Sequence, residues 1–128
     1  MKEVLLIIDF GSQYTQLIAR RVRELNVCSE IIPYNKFRDL PENVKGVILS
    51  GSPSSINDKN APTVNLKLLR EKIPLLALCY GAQLIAHQYG GKVGSSNTRE
   101  YGRSNMKKIG SHDLFLNVED NSQVWMSH

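Results

Sequence analysis

Cys79 is the residue whose neighbours best suit it to act as a nucleophile. It follows Leu75-Leu76-Ala77-Leu78, a short apolar run opened by Pro74, and it precedes Tyr80-Gly81-Ala82-Gln83-Leu84-Ile85-Ala86. The run reads as a buried parallel strand. Ala82 to Tyr89 reads as a helix, stopped by Gly90-Gly91. Small residues stand two positions to either side of the cysteine, Ala77 and Gly81. A nucleophile elbow needs them, because its strained strand-to-helix turn pushes the nucleophile into the open and leaves no space for bulk beside it. The positive end of the helix would favour thiolate over thiol. The Tyr80 N–H would point at an oxyanion formed by attack from Cys79. A lone cysteine after an apolar run is usually a buried small hydrophobe. The two small residues and the helix that opens at once tip the balance toward chemistry.

Such a corner needs a sheet to hold it. Val4-Leu5-Leu6-Ile7-Ile8 is a continuous apolar run, the mark of a central parallel strand. Asp9-Phe10-Gly11-Ser12 is the turn after it, with Asp9 fixing that turn, and Gln13 to Leu25 carries Leu17, Ile18, Val22 and Leu25 at helical spacing. Glu30 to Tyr34 is a second strand, near an edge because of Pro33. Gly46 to Ser50 is a third strand, followed by the loop Gly51-Ser52-Pro53-Ser54-Ser55. Pro62 to Arg70 is expected to be helical. Strand and helix alternate, so the fold expected is α/β: a doubly wound, mostly parallel sheet with helices on both faces. Sites in such sheets lie at the carboxyl ends of the strands. The loops at Gly11, Gly51 and Cys79 all fall there. Gly94 to Gly102 reads as a polar loop, and Lys107-Lys108-Ile109, Leu114-Phe115-Leu116 and Val124-Trp125-Met126 as short antiparallel strands. The chain stops at Ser127-His128 without a cap or closing helix, which reads as a domain cut short.

At 128 residues the chain is expected to form one domain. No run of about 18 apolar residues suggests a membrane span, and Met1-Lys2-Glu3 leads into the first strand without a signal-peptide pattern. Two cysteines, Cys28 and Cys79, suit a reducing, cytoplasmic setting rather than a disulfide framework. The net charge of +4 comes from scattered residues. Arg20, Arg21 and Arg23 share one helix with Glu24, a solvated face or a contact with a neighbouring domain rather than a nucleic-acid groove. No ligand cluster points to a metal, and neither glycine-containing loop matches a nucleotide fingerprint.

Taken together, these stretches resemble the class I glutamine amidotransferases, and within that class the amidotransferase domains of GMP synthases. Cys79-Tyr80-Gly81-Ala82-Gln83 resembles the family's C-x-G-x-Q signature. The opening from Ile8 to Glu24 resembles the start of the GMP synthase branch, as do Ser96 to Gly102 and Val124 to His128. Leu49-Ser50-Gly51-Ser52-Pro53 resembles the oxyanion-side loop, with Ser52 where the family usually has a second glycine. The resemblance implies a flavodoxin-like fold and a glutaminase reaction through a Cys79 thioester. It implies oxyanion N–H donors from Tyr80 and Ser52, and glutamine-binding roles for Gly51, Gln83, Ser127 and His128. It also implies an ATP-pyrophosphatase (synthetase) partner domain that uses ATP and Mg2+ to aminate XMP, with no cofactor in the amidotransferase part, and it leaves an oligomer possible. The family's base and its orienter lie in an H-x-E motif, which does not occur here. None of His87, His112 and His128 matches it. The expectation is therefore a chain carrying the nucleophile without its base, inactive alone. Two other readings are a γ-glutamyl peptidase of the same fold and a non-catalytic module that binds glutamine or a partner.

Overall fold

A computed structural model describes residues 2–94 and 101–127. The chain forms two compact units, Met1–Val93 and Gly94–His128. The first contains β1 (Val4–Asp9), α1 (Thr15–Glu24), β2 (Cys28–Pro33), β3 (Val44–Leu49), β4 (Leu75–Ala77) and α2 (Tyr80–Gln88). All four strands are parallel, in the order β2-β1-β3-β4. β2 is an edge strand, so Pro33 removes no ladder hydrogen bond that a neighbour needs.

The two faces of the sheet follow from strand alternation. Val4, Leu6 and Ile8 of β1 point to one side, where they join Val47 and Leu49 of β3 and Tyr80 and Leu84 of α2. Ile7 and Ile48 point to the other, against Ala19 of α1, with Ile18 and Val22 beside it. The register places Leu6 beside Val47, Ile7 beside Ile48 and Ile8 beside Leu49, so each face continues from strand to strand. Each fully buried aliphatic side chain stabilises this core by roughly 1.5–3 kcal/mol. Helices thus cover both faces, as the doubly wound reading requires.

α1 ends where Asn26 takes φ +63°. Arg21 and Arg23 lie in its last turn, where the helix dipole favours cations. Arg20, Arg21 and Arg23 are exposed, and Arg21 pairs with Glu24 at 2.9 Å across solvent.

The stretch from Pro62 to Arg70 departs from expectation. It is not a helix but an extended segment and a short 3-10 turn at Leu66–Leu68. Pro62, Val64 and Leu66 are buried while Thr63, Asn65 and Lys67 are exposed, a period of two that belongs to extended chain. The Asn65 side chain accepts the Lys67 N–H at 3.1 Å and starts the turn, and Glu71 at φ +63° ends it.

The second unit is an antiparallel pair, β5 (Tyr101–Asn105) with β6 (Gln123–Ser127). Tyr101 and Gly102, expected in a loop, begin β5; residues 95–100 lie outside the described residues. Val124-Trp125-Met126 is a strand as expected. Lys107-Lys108-Ile109 is not; Lys108 turns to Asp120 and Val118, its N–H 2.8 Å from Asp120 Oδ1 and its Nζ 2.8 Å from the Val118 carbonyl oxygen. Leu114-Phe115-Leu116 is also not a strand, because His112 Nδ1 accepts the Leu114 N–H at 2.9 Å and opens a 3-10 turn.

Candidate functional site at the strand-to-helix corner

The corner forms at Cys79, with φ +50° and ψ −113°. That is the first central position of a type II′ turn, a conformation suited to glycine. The turn is closed by the Gly81 N–H donating to the Leu78 carbonyl at 2.9 Å. α2 begins at Tyr80, two residues earlier than expected, because the Cys79 carbonyl already accepts the Ala82 and Gln83 N–H groups at 3.0 and 3.2 Å. A non-glycine residue held at positive φ costs of order 1–3 kcal/mol and is tolerated where the surroundings enforce it. Here β3 enforces it. The Leu78 N–H donates to the Leu49 carbonyl at 3.0 Å, and the Gly81 N–H also reaches the Ser50 carbonyl at 3.2 Å. The Cys79 side chain is exposed.

Gly81 is small for a definite reason. A Cβ there would lie 2.6 Å from Leu49 Cβ and 3.0 Å from the Leu49 oxygen. Tyr80 turns its ring inward, 5.5 Å from the ring of Phe10, and its hydroxyl donates to the Pro62 carbonyl. Burial, and then Asp58 and Tyr34, raise its pKa above the ordinary 10.0. With the ring anchored behind the corner, the Tyr80 N–H has no acceptor among the described residues.

The loop after β3 lies beside the thiol. A Cβ on Gly51 would stand 3.5 Å from Cys79 Cβ and 3.7 Å from Ser12 Oγ. The loops after β1 and β3 and the elbow therefore meet at the carboxyl ends of the strands, where the strand order reverses between β1 and β3. Ser52 does not adopt positive φ, so serine replaces glycine there without backbone strain. Gln83 sits on α2 one turn beyond Cys79, half-buried. Asp9 fixes the first turn, its Oδ1 accepting from the Gly11 N–H at 2.8 Å and the Thr15 hydroxyl at 3.0 Å.

Cys79, Tyr80, Gly51, Ser52 and Gln83 thus belong to one corner of the first unit. Ser127 belongs to the second unit, where its backbone pairs with Tyr101 in β6; its side chain and all of His128 lie outside the described residues. His87 is exposed on α2. Cys79 is a free thiol. Two residues escaped the sequence reading. Ser12 reaches the corner from the first loop. Ser50, fully buried, accepts the Phe10 N–H at 3.0 Å and donates to the Gly51 carbonyl at 3.0 Å. A buried hydroxyl with both partners across two loops is a signal only a structure carries.

The family model for class-I glutamine amidotransferases matches residues 6–128. The chain is 62% identical over its whole length to the glutamine-hydrolysing GMP synthase of Cytophaga hutchinsonii, and 51% identical to that of Porphyromonas gingivalis. It spans about a quarter of the length of these relatives, 25% and 26%. A crystal structure assigned as a GMP synthase subunit from Thermoplasma acidophilum superposes with TM-score 0.78 at 26% identity, covering 100% of this chain and 65% of that one. A glutamine amido transferase from Methylobacillus flagellatus shares the fold at TM-score 0.63 and 18% identity, over 99% of this chain and 54% of that one. The corner, the sheet order and these matches agree: the chain belongs to the class-I glutamine amidotransferase family.

Proposed function

We propose that this chain supplies the glutaminase part of a GMP synthase. The observation that carries the reading is Cys79, exposed on a type II′ corner at φ +50° beside a Tyr80 N–H that has no acceptor among the described residues. The Cys79 thiolate adds to the side-chain amide carbon of glutamine. The amide oxygen becomes an oxyanion, met by the N–H groups of Tyr80 and Ser52. The C–N bond then breaks, ammonia leaves with a proton from the base, and a γ-glutamyl thioester remains. Water adds to the thioester and releases glutamate and the thiolate. Gly51, Gln83, Ser127 and His128 hold the glutamine. The base and its orienter come from an H-x-E segment outside these 128 residues.

The ammonia passes to a synthetase domain, which activates XMP with ATP and Mg2+ and aminates it to GMP. Identities of 51–62% to glutamine-hydrolysing GMP synthases along the whole chain support this branch of the family. The two compact units form one amidotransferase domain, a reading supported by the family model running through both. A cytoplasmic setting suits a free catalytic thiol.

The test uses the full-length protein. Cys79→Ala should abolish GMP formation from glutamine and leave formation from ammonium salts intact, because only the first reaction needs the sulfur. XMP consumption would be followed with each nitrogen source. Retained glutamine-dependent activity would sink the role of Cys79. Wild-type protein that forms no GMP from ammonium would sink the synthase reading.

A further inference from the structure

We infer that Ser50 is a positioning residue whose hydroxyl locks the Gly51–Ser52 peptide, so that the Ser52 N–H is held outward as an oxyanion donor. The inference rests on the glutaminase reading above. Ser50 has no exposed surface, and its Oγ has two partners. It accepts the Phe10 N–H from the loop after β1, so its single hydrogen is left for the Gly51 carbonyl. The Gly51–Ser52 peptide is trans, because no cis peptide bond occurs among the described residues. In a trans peptide the C=O and the following N–H point in opposite directions. Holding the Gly51 carbonyl against a buried hydroxyl therefore turns the Ser52 N–H away from the core. That N–H has no acceptor among the described residues, and Gly51 borders Cys79.

The main chain of Ser50 does a separate task. Its N–H donates to the Ile8 carbonyl at 3.1 Å, and its carbonyl accepts the Gly81 N–H at 3.2 Å. Removing only the hydroxyl leaves those ties and frees the Gly51–Ser52 peptide to rotate. The elbow should survive while the donor loses its aim.

The experiment compares Ser50→Ala and Ser50→Thr in the full-length protein. Glutamine hydrolysis is measured alongside two thiol probes. Iodoacetamide alkylates by displacement and forms no oxyanion. A halomethyl ketone analogue of glutamine passes through a tetrahedral oxyanion. Ser50→Ala should lower kcat about 10–100-fold and slow the ketone to a similar extent, a part of the 10²–10³ associated with losing one oxyanion donor. KM should stay within about threefold, since the interaction is one made in the transition state. The iodoacetamide rate should not change. Ser50→Thr keeps a hydroxyl and should recover most of the activity; if its added methyl does not fit, Ser50→Ala decides alone. An unchanged kcat in Ser50→Ala would overturn the inference. So would an equal loss of iodoacetamide reactivity, which would mean that the elbow itself had collapsed. Wild-type protein without glutaminase activity would sink the functional reading. The lock would then be judged by Phe10 amide exchange, which Ser50→Ala must accelerate at least about tenfold if that hydrogen bond holds the loop.

Discussion

Gly81 packs against Leu49, whose carbonyl also accepts the Leu78 N–H just before Cys79. Because a Cβ at Gly81 would press on the Leu49 side chain and carbonyl at 2.6 and 3.0 Å, Gly81→Ala should destabilise the fold by about 1–3 kcal/mol. Urea denaturation would measure it, and unaltered stability would mean that the corner packs more loosely than described. The two thiols offer a second test. Cys79 is exposed and Cys28 is half-buried in β2, so iodoacetamide should modify Cys79 first. Peptide mapping of a partial reaction reads the order, and equal labelling would remove the case for a presented nucleophile. At this scale the sequence was readable where a constraint is local. Ala77 and Gly81 flank Cys79 within two residues, and that spacing alone suggests an elbow. Ser50 was not readable, because its partner Phe10 lies 40 positions away and a serine before glycine looks like ordinary turn chemistry.

The strands were legible for a related reason: a central parallel strand is buried on both faces, so Val4–Ile8 and Val47–Leu49 have no polar side to confuse the pattern. The segment 62–70 departs from the helix its leucines suggest because its burial alternates with a period of two. Its function is to receive α2: Pro62 accepts the Tyr80 hydroxyl, and the Thr63 hydroxyl accepts from Gln88 Nε2 at 2.9 Å. The Tyr80 contact has a consequence for pH. The phenol titrates above 10.0 in the fold, so between that value and its folded pKa the native state holds a proton the unfolded chain has lost. Stability should be intact below about pH 10 and fall as pH rises beyond it. Tyr80→Phe should flatten this alkaline loss while lowering neutral-pH stability by about 0.5–1.5 kcal/mol for the lost hydrogen bond. Denaturation midpoints at pH 8 to about 11 would test both signs. Parallel curves for the two proteins would contradict the assignment.

For the molecule as a whole, the proposed division of labour predicts that these 128 residues alone hydrolyse glutamine at least about 10²-fold more slowly than the full-length protein, the lower bound for losing general acid–base help. Glutamate release by the purified chain at the full-length rate would reveal a base among its own histidines. The α/β class, the sheet with helices on both faces and the three converging loops were all foreseeable, since they follow from element order. The antiparallel pairing of β5 with β6 was only half visible, because short polar strands carry little periodic signal. The torsion at Cys79 has one more consequence. Folding alone would favour glycine at φ +50°, so Cys79→Gly should be more stable than Cys79→Ala by up to about 1 kcal/mol, even after the greater freedom of glycine in the unfolded chain is counted. A laboratory lineage selected only for heat resistance should therefore keep glycine over alanine at this codon, whereas, if the function proposed above holds, a lineage that depends on glutamine-driven GMP formation should keep the cysteine.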